Sequence, residues 1–465
     1  MTLTLADLRV AIIGAGPAGF YAAEALHKAS PAIRIDMFDR LPTPHGLVRG
    51  GVAPDHPKIK SVSRVFDRIA SHPGFRFAGN VTVGRDVTPA ELRAHYDVVI
   101  YAVGAQTDRT LGIPGEKLVG SHAATELVGW YNGHPDFREA SFDLGADSAA
   151  VVGLGNVAMD VVRILARPVE ELATTDIAEH ALETLRGSRI STLYVLGRRG
   201  PVQGAFTTPE LRELGELEGV DVLVNPQDLE LDPISAAQLE SSDDRTLAKN
   251  LDVLRSWADR GPSGAPRRII FRFCVSPVEV LGTAGRVAGL RIVRNRLEGD
   301  GNGGVRAVAT AEDEALDVGL LFRSVGYRGV AIPGLPFDSR RGVFPNAEGR
   351  LVAEAGSDTP LDGIYACGWI KRGPSGVIGT NKACAMATVA GVIADAAANR
   401  ITPAEHGAAD LIAALHGRGV TVVDWHAWQT IDRAEGAAGA ARGKPREKFT
   451  TIAGMLEAAR TGEPT

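Results

Sequence analysis

The chain has 465 residues, 45% of them hydrophobic and 23% charged, with 54 glycines and a formal net charge of -6 at pH 7. This is the composition of a globular α/β protein of two or three domains rich in tight turns; a disordered or fibrous chain is excluded, and the missing basic excess argues against nucleic acid as a partner. No apolar run reaches the ~18 residues that span a bilayer, and the first strand is expected by Arg9, with no room before it for a signal or transit segment, so a reducing cytoplasm is the expected location.

In chain order, the apolar run Val10 to Ile13 reads as a buried parallel strand and leads into Gly14-Ala15-Gly16-Pro17-Ala18-Gly19 before a helix-like segment. In that context Gly14 permits the tight turn, Gly16 lets backbone approach a pyrophosphate, and Gly19 lets helix and strand pack closely, with the helix N-terminus facing the phosphates. A second strand, Ile33 to Phe38, ends in Asp39, 20 positions beyond Gly19, where an acid accepts hydrogen bonds from a ribose diol. That points to an unphosphorylated adenosine ribose, as in FAD or NAD. The segment closes near Asp97 to Ala105, an apolar strand ending in small residues at a sheet edge.

The strand Ala149 to Val152 then opens a second turn, Gly153-Leu154-Gly155-Asn156-Val157-Ala158, 139 positions after the first. No acid follows it; instead the strand Leu193 to Leu196 runs into Gly197-Arg198-Arg199-Gly200-Pro201. Paired guanidinium groups suit the 2′-phosphate of NADP(H). Two dinucleotide sites in one chain imply electron transfer between them. The alternative at each site is a plain glycine turn or a solvated arginine turn.

Farther on, the polar stretch around Ser241 to Pro266 reads as a helix flanked by loops, and Leu320 to Val325 as the last strand of the second unit. A strand from Gly363 to Cys367 enters the glycine-rich run Gly368 to Asn381, followed by a helix from Ala383 to Ala396; the tail after Thr402 is helical and expected to pack on the first unit. The three cysteines, Cys274, Cys367 and Cys384, form no CxxC pair and match no iron–sulfur or zinc spacing, so no metal site is expected.

Several strings make the reading specific: Gly-Pro-Ala-Gly-Phe-Tyr at 16 to 21, Pro-His-Gly-Leu-Val-Arg at 44 to 49, Gly-Val-Ala-Pro-Asp-His-Pro-Lys at 51 to 58, Gly-Asn-Val-Ala-Met-Asp at 155 to 160, Phe-Thr-Thr-Pro-Glu-Leu-Arg-Glu-Leu at 206 to 214 and Gly-Trp-Ile-Lys-Arg-Gly-Pro-Ser-Gly-Val-Ile-Gly-Thr-Asn-Lys at 368 to 382. Through them the chain resembles the NADPH-dependent ferredoxin reductases of the adrenodoxin reductase type over nearly its full length. The resemblance implies two Rossmann-like domains of glutathione-reductase-like arrangement without a dimerisation domain, hence a monomer. A FAD domain would be made of residues 1–109 and 334–465, with an NADP domain of 110–333 inserted. It implies FAD contacts at Asp39, Leu47, Val83, Trp369, Gly376, Val377 and Ile378, although relatives often carry Glu at the first of these. It places NADP at Arg109, Asn156, Val157, Ala158, Arg198, Arg199 and Glu210.

Hydride transfer requires ring approach to about 3 to 3.5 Å, and a glycine at 376 suits a nearby nicotinamide. His56, Asp160 and Glu213 are the candidates for proton handling and nicotinamide positioning; a carboxylate beside His56 would favour its charged form. An acidic ferredoxin-type iron–sulfur partner calls for a local basic face, with Lys58, Lys60, Arg64 and Arg68 or Arg245, Lys249 and Arg255 as candidates. A thioredoxin reductase would need a CxxC, and an iron–sulfur electron-transfer subunit would need cysteine clusters. A ferredoxin-independent NADPH diaphorase and a non-catalytic NADP-bound sensor remain as alternatives.

Overall fold

In the computed structural model, residues 4–301, 304–357 and 359–460 are described; the outermost ends of the expected FAD domain fall outside them. Strands β1 (Arg9–Ile13), β2 (Arg34–Phe38), β3 (Phe75–Ala78) and β4 (Val98–Tyr101) pair in parallel. The chain then leaves through β5 (Thr107–Asp108) to form β6 (Ser121–Ala123), β7 (Ser148–Val152), β8 (Thr192–Leu196), β9 (Val220–Val224) and β10 (Arg267–Arg272). An antiparallel sheet of β11 (Val275–Thr283), β12 (Arg286–Gly299) and β13 (Val305–Leu316) follows, before β14 (Leu320–Arg323) rejoins the second parallel sheet. β15 (Tyr327–Arg328) pairs with β5, and β16 (Asn346–Ala347), β17 (Arg350–Val352) and β18 (Pro360–Ala366) complete the first sheet.

The sheet orders are β16-β17-β18-β4-β1-β2-β3 and β6-β14-β7-β8-β10-β9. Both ends of the chain therefore build one sheet and its middle builds the other, and the paired segments β5 and β15 are the two crossings between them. Runs such as Val98–Tyr101, buried at every position, are what interior parallel strands need, since helices cover both faces. One face of the first sheet packs Val10 and Ile12 against Phe20, Phe66 and the tail residues Trp428 and Ile431; the other packs Ile13 and Phe38 with Leu411 and Leu415.

Four sequence expectations change. β4 does not lie at a sheet edge: β18 pairs with it in parallel, Ile364 opposite Val99, on the side away from β1. β14 sits between β6 and β7 and ends at Arg323, so Ser324 and Val325 lie beyond it. The helix expected from Ala383 begins at Ile378; Gly379, Thr380 and Asn381 in its first turn are weak helix formers and conceal the start. The tail does pack on the first sheet, yet it also reaches the second unit, where Lys444 Nζ donates to the Ile177 carbonyl at 2.7 Å and Lys448 Nζ to the Asn132 carbonyl at 3.1 Å. The polar helix is observed at Arg245–Arg260, its N-terminus capped by Asp244, which accepts from the Thr246 amide.

Candidate functional site

The first glycine turn lies at the C-terminal end of β1. Gly14 has φ +108°, and a Cβ there would stand 2.6 Å from the Ala102 carbonyl oxygen, so only glycine fits where β4 ends against the turn. A Cβ on Gly19 would stand 2.2 Å from the Gly14 oxygen. Gly16 caps the helix Pro17–Ala29 with no side chain over its amides. At the end of β2 the Asp39 carboxylate accepts from the Ala15 amide at 2.8 Å and the Leu41 amide at 2.9 Å, so this acid also ties the turn together. Burial pushes its carboxyl up, and the two amides pull it back.

The FAD candidates from elsewhere partly converge on this turn. The Gly46 Cα lies against Gly16, and the His45 amide donates to the Ala15 oxygen, which sets the exposed Leu47 beside it. Gly368, preceding Trp369, abuts Ala18 in the first turn of the same helix. Val377 is exposed at the N-cap of the helix Ile378–Ala397. Val83 sits apart, in the turn after β3, bridged to Val87. Gly376 has φ +78°, and a Cβ there would meet Thr380 Oγ1 at 2.3 Å, so the chain itself demands glycine at this point, independently of any nicotinamide.

The second turn follows the same plan. Gly153 has φ +141° and approaches the Ser324 oxygen, beyond β14, with 2.2 Å to a built Cβ. Gly155 precedes the helix Asn156–Ala166, and a Cβ on it would meet nothing within 4 Å. Asn156 turns its side chain to the protein, its Oδ1 accepting from the Thr207 amide at 2.8 Å; Val157 is half-buried and Ala158 fully buried. Arg198 is exposed and Arg199 half-buried at the end of β8, and neither makes an ion pair among the described residues. Burial and the neighbouring Arg198 both weaken the hold of Arg199 on its proton. An unneutralised guanidinium pair is a ready anion site.

A short run joins the two turns. Ser324 touches Gly153, the Arg109 amide donates to the Gly326 oxygen, and the Tyr327 ring lies 5.4 Å from that of Trp369. Arg109 itself is exposed.

His56, Asp160 and Glu213 come together as one cluster. His56 Nε2 is 2.8 Å from Glu213 Oε2 and 3.7 Å from Glu210 Oε2, and Nδ1 is 4.0 Å from Asp160 Oδ1. Burial opposes charge on His56, but the Glu213 hydrogen bond, with Glu210 and Asp160 nearby, raises its basicity despite Arg163. Burial pushes Asp160 up and Glu210 up to about 7, whereas the His56 hydrogen bond holds Glu213 down. His56, Glu210 and Glu213 are metal-ligand types within 4.8 Å of one another, but Arg163 Nη1 already stands 3.3 and 3.4 Å from the two glutamates.

Residues 8–225 match the family described as pyridine nucleotide-disulphide oxidoreductase. The chain is 49% identical over 460 residues to the NADPH-ferredoxin reductase FprA of Mycobacterium tuberculosis, covering 96% of this chain and 98% of that one. It is 42% identical over 460 residues to the mitochondrial NADPH:adrenodoxin oxidoreductase of Arabidopsis thaliana, covering 97% and 95%. The chain belongs to the ferredoxin and adrenodoxin reductase family. A solved structure of Mycobacterium tuberculosis FprA in complex with NADPH is similar throughout, with TM-score 0.90, 47% identity and coverage of 97% and 99%.

Within this reductase fold, sequence reasoning missed Asp55, Arg163 and Tyr327. Arg163 is three residues after Asp160 on the helix of the second turn, a spacing that puts both on one face, and this was the available signal. Glu210, expected among the residues that hold NADP, stands in the His56 cluster. Lys60 is withdrawn from the surface: its Nζ donates to Asp176 at 2.6 Å and to Asn132 at 3.2 Å. Lys58, Arg64, Arg68, Arg245, Lys249 and Arg255 are exposed.

Proposed function

We propose that the chain is an NADPH:ferredoxin oxidoreductase, with FAD on the turn at 14 to 19 in a domain of residues 1–109 and 334–465, and NADPH on the turn at 153 to 158 in an inserted domain of 110–333. The observation that carries this reading is the near-full-length, 49% identical relative named NADPH-ferredoxin reductase. The turns fit the two cofactors: both helices start without a side-chain cap, and the space at Gly155 is open. When bound, FAD supplies two-electron acceptance and one-electron release.

The chain's residues bind and orient. Amides at the two helix N-termini hold the pyrophosphates, and each Asp39 oxygen keeps a lone pair for a ribose hydroxyl beside the amide it already accepts. Arg198, Arg199 and Arg109 hold the phosphorylated end of NADPH, while Leu47, Val83, Trp369, Val377 and Ile378 line the FAD side. His56 keeps a proton at Nε2 shared with Glu213, and Asp160 faces its other nitrogen. The partner is an acidic iron–sulfur protein docking on Arg245, Lys249 and Arg255, or on Lys58, Arg64 and Arg68, and the reductase acts as a cytoplasmic monomer. Among the described residues no helix is long and apolar enough to cross a membrane.

Anaerobic rapid mixing with NADPH, followed by a ferredoxin coupled to cytochrome c, tests the reading. Fast bleaching of the flavin band and salt-sensitive, ferredoxin-dependent cytochrome reduction are expected. Bleaching without a ferredoxin effect would point to a diaphorase, and a protein without flavin to a sensor.

A further inference from the structure

Arg163 is an arginine with a side chain of zero exposure, on the helix that follows the second glycine turn. Its Nε and Nη2 donate to the two Asp55 oxygens at 2.7 and 3.0 Å, Nη2 donates to Asp160 Oδ1 at 2.7 Å, and Nη1 donates to Glu210 Oε2 at 3.3 Å with Glu213 Oε2 at 3.4 Å. Asp55 belongs to the loop carrying His56, which comes from the first unit, whereas Asp160, Glu210 and Glu213 belong to two helices of the second. One planar fork therefore fixes three elements, which a lysine, with its compact point charge, cannot reproduce. We propose that Arg163 is the positioning residue of the hydride-transfer site, tying the Asp55-His56 loop to both helices so that His56 stays in hydrogen bond with Glu213. This rests on the reading of His56 and Glu213 given above.

The charge balance makes the idea testable. Four carboxylates, Asp55, Asp160, Glu210 and Glu213, face His56, Arg163 and Arg167; Tyr131 adds a buried hydroxyl without a hydrogen-bond partner among the described residues, and Tyr327 faces Asp160 from the connecting run. Arg163 lowers the proton affinity of His56 and of the surrounding acids. Removing its charge raises the proton affinity of His56, whereas losing the Glu213 hydrogen bond lowers it; Arg163→Lys keeps the charge and loses the fork, so it reads the hydrogen bond alone.

The test uses the FAD-loaded enzyme and rapid-mixing flavin reduction by NADPH across pH. The midpoint belonging to His56 is identified as the one that disappears in His56→Gln. Arg163→Lys is expected to shift that midpoint downward, because it keeps the charge and frees His56 from Glu213; a residue acting by charge alone would leave the midpoint in place. The lysine variant is also expected to slow flavin reduction about ten-fold or more through misplacement, with KM for NADPH changed less than about two-fold. Asp55→Asn cuts the same link from the loop side and replaces Arg163→Lys if that protein fails to fold; it should slow reduction comparably. Variants with full FAD, unchanged midpoint and unchanged reduction rate would overturn the positioning role. An original enzyme whose flavin NADPH does not reduce would instead sink the functional reading beneath it.

Discussion

The two glycine turns are built alike and, of their three fingerprint positions, differ only at the third. Gly14 and Gly153 both have positive φ and both lie against the backbone just beyond a neighbouring strand, Ala102 after β4 and Ser324 after β14. Their amides accept the same role too, Gly14 donating to the Phe38 oxygen and Gly153 to the Leu196 oxygen. At the third position the first turn leaves no room for a methyl, while the second holds the buried Ala158. The helices then diverge: Tyr21 and Glu24 on the first correspond in position to Asp160 and Arg163 on the second. The first turn is thus a packing solution close to its helix; the second is looser and carries the charged cluster that meets His56.

The sharpest way to break this comparison is Gly19→Ala. Its Cβ would collide with a backbone oxygen that cannot swing away, so helix and turn must separate, at a cost of about 1–3 kcal/mol or more. The purified protein is expected to lose most of its flavin absorbance. A variant retaining full FAD would show that the turn has slack the structure does not display.

Next in size is Arg199→Ala. A charge-assisted hydrogen bond contributes about 1.5–3 kcal/mol, so KM for NADPH is expected to rise roughly ten- to a hundred-fold, with NADH nearly unaffected. Equal effects on both nucleotides would remove the phosphate role of the arginine turn and leave the second site without the feature that separates it from the first.

What was legible in the sequence follows the same contrast. Both turns could be read because glycine geometry is local and the strand before each is a continuous apolar run. The antiparallel sheet β11–β13 was not legible, since β13 is largely exposed and offers no continuous apolar run. Arg163 escaped because a buried arginine sits in a mostly apolar helix, and its partners Asp55 and Glu210 are 108 and 47 positions away. The cluster of Lys60, Asp176 and Lys448 was hidden for the same reason: three charges distant in sequence meet only when the tail crosses onto the second unit. Burial there pulls Lys448 down to about 7. Lys60 looked like one of several surface cations in its run, and only the fold separates it from Lys58 and Arg64.

Glu210→Gln tests the charge that distinguishes the second helix region. Folding raises the Glu210 carboxyl from 4.5 to about 7, chiefly through burial, with Asp160 and Glu213 adding to it. A raised value means its contribution to stability is complete below pH 4.5 and lost as pH climbs through 7. Glutamine stays neutral, so the variant should gain on the original enzyme between pH 5 and pH 8, by a few degrees in Tm. His56 and Asp160, also raised, keep part of the original slope. A Tm difference identical at both pH values would show that Glu210 does not carry this strain.

The smallest effect belongs to Ala158→Gly, the mirror of Gly19→Ala. The methyl it removes is fully buried in the first turn of a helix, where glycine costs about 1 kcal/mol relative to alanine. A Tm lower by roughly 2–4 °C is expected, with NADPH-dependent flavin reduction within about two-fold of the original. The asymmetry is the point: adding a methyl at the first turn should abolish its cofactor, and removing one at the second should only soften the helix. If Ala158→Gly instead abolished NADPH use while its Tm held, the third position would be set by the nucleotide and not by helix packing, and the two turns would be alike in form but not in cause.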